Sequence, residues 1–128
     1  MSRRKLLSLI ESPTHPDFSK LYSRLNIEEI RVTSLRRAIN QIKHCSPDFV
    51  VAEFFYGYSN NYAGVNISNL DVFLFSLQKF APDARVIVMV NKPEFHYVDK
   101  LNEIFPLFAV LQHPVDESAI ESLLVDAD

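Results

Sequence analysis

The sequence predicts an α/β fold in which five parallel strands alternate with five helices in one doubly wound sheet. Two apolar runs, Phe49–Phe55 (interrupted only by Glu53) and Val86–Val90, are rich in β-branched and aromatic residues. Such runs are typical of strands buried on both faces of a parallel sheet. Apolar residues recur between them at helical spacing, namely Leu70, Phe73, Leu74, Leu77 and Phe80. This alternation favours a sheet covered by helices on both faces.

The rest of the chain continues the same alternation of patterns. The other three strands are predicted at Leu6–Ile10, Ile30–Thr33 and Phe108–Leu111. The other helices are predicted from apolar stripes at Phe18–Leu25, Leu35–Ile42, Tyr97–Phe105 and Ile120–Leu124. Ser34 and Asn91 stand where side-chain caps would begin two of these helices, and Pro93 fits the first turn of the second.

Length and composition narrow the class of protein. The 128 residues fit one domain over 1–128, and 48% apolar with 23% charged residues is typical of a globular core. The apolar runs are far shorter than the roughly 20 residues of a membrane span, and the run after the basic start is too short for a signal core, so we expect a cytoplasmic protein. A single Cys45 excludes an intramolecular disulfide. A net charge of −3 without a long Lys/Arg stripe argues against nucleic-acid binding.

Two short motifs carry a resemblance to a known family. Pro47-Asp48 precedes a four-residue apolar strand that leads to Glu53, and His113-Pro114 follows the last predicted strand. In this order, the motifs resemble those of response-regulator receiver domains, where Pro-Asp and a strand precede the phosphoryl-accepting aspartate and Lys-Pro follows the last strand. The resemblance covers nearly the whole chain. It implies a flavodoxin-like, receiver-like sheet with strand order 2-1-3-4-5 and functional groups at the carboxyl ends of the strands.

The resemblance also implies that the phosphorylation chemistry is missing. Glu53 occupies the position of the acceptor aspartate, and Ile10 and Glu11 occupy the positions of the acidic pair that holds Mg²⁺. Val90 stands in the position of the threonine or serine, and His113 in that of the lysine. The extra methylene of glutamate displaces the nucleophilic oxygen, and a misplacement on that scale costs about 10²-fold in rate. Four departures together indicate a degenerate receiver, or pseudo-receiver, of the two-component signal-transduction family that acts without being phosphorylated.

Glu53 itself allows three interpretations. It is a carboxylate at the mouth of the sheet that is solvated or hydrogen-bonded to nearby amides or to His113. Alternatively, it supplies a permanent negative charge at the place where receivers acquire one, and so holds the domain in one state. A third interpretation is a metal or catalytic role with Glu11 and His113, since carboxylates and imidazole together bind transition metals.

The segment after the third predicted strand is crowded with aromatic residues among small polar ones. The residues that stand out are Phe55, Tyr56, Tyr58 and Tyr62. Either they fold over the vacated pocket as a lid, because exposed aromatic clusters are unusual, or they form an interaction loop that contacts a protein partner.

The function predicted is a phosphorylation-independent signalling or interaction module, neither an enzyme nor a cofactor or metal binder. Its partner is a protein, and a second copy of the chain is one candidate. The alternative is a small-molecule or metal-binding, even enzymatic, domain that uses Glu11, Glu53, Asn91 and His113 at the carboxyl edge of the sheet. Because Gly57 and Gly64 are the only glycines, the common glycine-rich nucleotide-binding loops are excluded.

Overall fold

The computed structural model describes residues 4–10, 18–54 and 70–126, and its strands form one parallel sheet. The strand order is β2-β1-β3-β4-β5, and each neighbouring pair is parallel. The strands are β1 (Arg4–Leu9), β2 (Ile27–Val32), β3 (Phe49–Glu53), β4 (Arg85–Val90) and β5 (Ala109–Gln112). The predicted fold class and strand order are therefore confirmed.

Among the residues described, four α-helices connect successive strands, and a fifth follows β5. They are α1 (Ser19–Arg24), α2 (Leu35–His44), α3 (Asp71–Phe80), α4 (Phe95–Val98) and α5 (Glu117–Asp126). Ser34 caps α2 as predicted, because its hydroxyl oxygen accepts the backbone N–H of Arg37 at 3.2 Å. Within the described residues, no helix is both long and apolar enough to cross a membrane.

The segment between β4 and β5 differs from the prediction of one continuous helix. The α-helical turn α4 lies between two 3₁₀ segments, Lys92–Glu94 and Asp99–Glu103. Val98, Leu101 and Ile104 recur at every third residue, and a 3₁₀ helix aligns that spacing on one side. In the described part of the chain, the Asn91 side chain makes no capping hydrogen bond, so the predicted cap is wrong.

Two apolar layers cover the faces of the sheet. Val50, Ala52 and Phe54 pack into one layer with α2, α3 and the 92–103 segment. Phe49 and Val51 pack into the other layer with α1 and α5. Successive side chains of a strand point to opposite faces. Glu53 therefore belongs to the face covered by α1 and α5.

The Pro47-Asp48 motif joins three strands at the amino edge of the sheet. The Asp48 carboxylate accepts the backbone N–H of Lys5 at 2.9 Å. The backbone N–H of Asp48 donates to the Lys5 carbonyl at 2.9 Å, and its carbonyl accepts the N–H of Arg85 at 3.0 Å. The motif thus connects β1, β3 and β4 at the edge opposite the candidate functional residues.

Candidate functional site at the carboxyl edge of the sheet

Glu53 is a buried carboxylate at the end of the central strand β3. Its residue exposure is 5%, and every residue of β3 is buried. In the parallel pairing of β3 and β4, Glu53 stands opposite Met89. The backbone N–H of the following residue, Phe54, donates to the Met89 carbonyl at 2.9 Å. Glu53 does not lack an interaction partner. Its burial argues against the solvated interpretation and agrees with the rule that buried carboxylates are paired or hydrogen-bonded.

His113 lies directly after β5 and is half-buried. Its backbone N–H donates to the Val90 carbonyl at 2.9 Å, and its peptide bond to Pro114 is cis. Glu53 pairs with Met89, and Met89 with Leu111, so His113 lies two residues beyond the level of Glu53 on the far side of β4. Ordinary strand spacing and rise place the Cα atoms of Glu53 and His113 about 12 Å apart. The two side chains therefore flank β4.

Val90 does not join these residues. It is fully buried, and it packs with Val86 and Val88 on the face covered by α2 and α3. Glu53 belongs to the opposite face. Asn91 follows directly after β4 and is exposed.

A second buried carboxylate, Asp71, lies at the same edge and was not predicted. Its exposure is 3%, and it occupies the first turn of α3. The other end of α3 is at the amino edge, because the Phe80 carbonyl accepts the Ser46 hydroxyl at 3.2 Å and β4 begins soon after, at Arg85. A carboxylate is favourable in the first turn because the start of a helix carries partial positive charge, so Asp71 stabilises α3. In the sequence, the position of Asp71 at the start of the helical apolar pattern was the signal that could have identified it.

Several predicted site residues lie outside the described part of the chain. They are Glu11 and the aromatic residues Phe55, Tyr56, Tyr58 and Tyr62. Within residues 4–10, 18–54 and 70–126, no group of three histidine, cysteine, aspartate or glutamate residues could hold a metal ion. The metal-binding alternative therefore gains no support from these ranges.

Known sequences and known structures give different results when compared with this chain. No family model and no curated protein matches it. Among solved structures, it is similar to the signal receiver domain of an HD domain-containing protein from Pseudomonas fluorescens Pf-5, with a TM-score of 0.74, 14% identity, and coverage of 98% of this chain and 94% of that one. The fold is that of a response-regulator receiver domain.

Two further structures agree with this receiver fold. A response regulator receiver domain protein from Clostridium thermocellum gives a TM-score of 0.67 at 17% identity and covers 97% of this chain and 93% of that chain. The other is a response regulator from Burkholderia pseudomallei, solved with a phosphorylated aspartic acid, a calcium ion and citrate. It gives a TM-score of 0.70 at 14% identity, and the similarity covers 94% of this chain and 66% of that chain. At such identities the likeness shows the receiver fold alone. In a sheet of this kind, the carboxyl edge that holds Glu53, Asn91 and His113 is where ligands bind.

Proposed function

We propose that this chain is a receiver-like signalling module that acts through protein contacts and without being phosphorylated. One observation carries the proposal: the residue at the end of β3 is a buried glutamate, and Asn91 and His113 stand at the neighbouring strand ends. Phosphoryl transfer depends almost entirely on positioning and on electrostatic stabilisation of the transferred group. Val90, with Asn91 after it, and His113 stand where receivers have the hydroxyl and the ammonium that serve this purpose.

The burial of Glu53 is a further argument against phosphorylation. A phosphoryl group carries close to two negative charges and three acceptor oxygens. With only 5% of the residue exposed, attachment of this group to Glu53 would place the added charge inside a closely packed sheet edge. The glutamate carboxylate already places one negative charge there. We include in the proposal that this charge holds the domain in a single state.

Protein contact is the activity that such a domain retains. Large apolar side chains are exposed on several elements, namely Val72, Phe75, Phe95, Phe108 and Val125. Exposed aromatic residues are enriched where proteins bind one another. The partner is another protein, with a second copy of this chain as one candidate. Light scattering coupled to size-exclusion chromatography measures whether the chain forms a homodimer. A strict monomer at high concentration would exclude the homodimer.

The phosphorylation claim is tested by adding Mg²⁺ with beryllofluoride, and separately acetyl phosphate, while recording amide NMR spectra and the intact mass. We expect no phosphoryl adduct and no saturable shifts around Glu53 and His113. The Glu53→Gln variant should give the same spectra with and without the reagents. Saturable shifts at these residues that disappear in Glu53→Gln would overturn the proposal.

The alternative is a small-molecule binding domain, and the position of Glu53, Asn91 and His113 at neighbouring strand ends favours it over other rivals. A thermal-shift screen over metals and metabolites separates the two functions. A stabilising compound whose effect is lost in Glu53→Gln/His113→Ala, but kept when the exposed Glu103 is changed to Gln, would establish the alternative. We expect no such compound.

A further inference from the structure

A groove of about 1170 Å³ lies between β2 and α2, away from the strand-end residues discussed above. Residues 30–32 of β2 line one side, and residues between Ser34 and Lys43 line the other. In the sheet formed by the described residues, β2 is an edge strand that pairs only with β1. The outer edge of such a strand presents backbone groups that can pair with another chain.

The floor of the groove is apolar. Ile30, Leu35 and Ile39 line it, and these three half-buried side chains pack against the core beneath α2 and α3. A bound chain could therefore cover apolar surface here that the fold leaves partly exposed. Covering such surface is favourable because it removes apolar area from water.

The rim of the groove is basic. Arg31, Arg36, Arg37 and Lys43 line it, and none of the lining residues within the described ranges is acidic. This concentration of positive charge stands on a chain whose formal net charge is −3. Charge complementarity therefore favours an acidic partner, which the positive field would attract and orient.

The position of two of these arginines is unfavourable for the helix itself. Arg36 and Arg37 lie in the first turn of α2, which holds no acidic residue. The start of a helix carries partial positive charge, so cations there are disfavoured, whereas Lys43 and His44 in the last turn are favoured. Helix stability therefore does not explain the two arginines.

We propose that the groove binds an extended acidic peptide segment of a partner protein, which pairs along the outer edge of β2. Alternate apolar residues of the peptide lie over Ile30, Leu35 and Ile39, and the carboxylates meet Arg36 and Arg37. This is strand addition, in which backbone hydrogen bonds give affinity and alternate side chains give specificity. The apolar floor and the open strand edge favour a peptide over a nucleic acid, which needs rows of phosphate contacts.

The test uses the full chain and a fluorescein-labelled peptide of about eight residues, alternating glutamate with valine or isoleucine, followed by fluorescence anisotropy. We expect saturable binding that weakens with salt, and amide NMR shifts that cluster on β2 and α2. The charge-reversal variant Arg36→Glu/Arg37→Glu should reduce affinity at least about tenfold. The matched variant Lys20→Glu/Lys100→Glu, which reverses two exposed cations on other elements, should bind within about twofold of the unaltered chain.

Misfolding of the reversal variant is a weak explanation for lost binding, because glutamate is favourable in the first turn of a helix. Circular dichroism checks that α2 remains. A peptide N-methylated at alternate residues should lose binding, since it cannot complete the backbone hydrogen bonds. Equal binding of that peptide, or of one with lysine in place of glutamate, would overturn the proposal.

Two other occupants are outcomes of the same experiment. If oligo-dT or anionic phosphatidylserine vesicles bind through Arg36 and Arg37 while the acidic peptide does not, the proposal is overturned. The groove shares no residue with Glu53, Asn91 or His113, so the phosphorylation test neither supports nor excludes it.

Discussion

The backbone N–H of Phe54 donates to the carbonyl of Met89 at 2.9 Å, so that β3 and β4 remain paired one residue beyond Glu53. This pairing keeps the Glu53 backbone within the sheet, and the whole residue is only 5% exposed. Burial of a carboxylate costs free energy unless hydrogen bonds or ion pairs compensate for the lost hydration.

We expect Glu53→Ala to lower the free energy of unfolding by about 1–3 kcal/mol, because it leaves buried polar partners unsatisfied. Glu53→Gln should cost less, since it keeps the side-chain volume and one carbonyl oxygen. Urea denaturation measures both. The control is Glu103→Ala, an exposed position where we expect a change within about 0.5 kcal/mol. If Glu53→Ala were as mild as Glu103→Ala, the carboxylate would have no role in the fold.

Neighbouring substitutions at the end of β4 test the geometry of the candidate site. Val90→Thr places a hydroxyl in the apolar layer beneath α2 and α3, and we expect a loss of about 1–3 kcal/mol. Asn91→Thr changes an exposed residue directly after β4, and we expect a change within about 0.5 kcal/mol. Chemical denaturation of the two variants side by side measures the difference.

Equal losses for the two variants, or a larger loss for Asn91→Thr, would contradict the burial of Val90 in the layer beneath α2 and α3.

Much of the fold could be predicted because the central strands are apolar on both sides. The run that ends at Val90 forms β4, and Phe49 begins β3. Short apolar runs that are rich in β-branched and aromatic residues favour strands buried on both faces. The edges were less certain. β2 begins at Ile27, before the predicted Ile30, since the pairing of Ile27 with Arg4 extends a strand whose polar residues weaken the pattern.

The candidate site could be predicted only in part. The strand ends gave Glu53, Val90 and His113, but only the packing of the two layers shows that Val90 and Glu53 belong to opposite faces. Pro47-Asp48 supported the resemblance, and its observed contacts lie at the opposite edge of the sheet. The burial of Asp71 depends on how α3 packs against the sheet, which sequence spacing alone does not give.

The cap of α2 gives a third prediction. Ser34→Ala removes the acceptor for the Arg37 N–H, and we expect it to lower the free energy of unfolding by about 0.5–2 kcal/mol. Ser34→Gly should cost only a few tenths of a kcal/mol, because glycine is tolerated at this position. Thermal and urea denaturation measure both variants. A neutral Ser34→Ala would show that water replaces the hydroxyl at no cost.

Two phenylalanines on α3 give the sharpest matched pair for the packing of the core. Phe73 is fully buried against the sheet, whereas Phe75 on the same helix is 57% exposed. We expect Phe73→Ala to lower the free energy of unfolding by about 3–5 kcal/mol, because it removes a large side chain and leaves a cavity. Phe75→Ala should change it by about 0.5 kcal/mol or less. Urea denaturation of both variants measures this difference in stability. If Phe75→Ala destabilises the fold as much as Phe73→Ala, the packing of α3 described above is wrong.

The Phe75→Ala variant also tests protein contact. If it keeps its stability but no longer binds a protein partner or forms the dimer, the exposed ring is a contact residue.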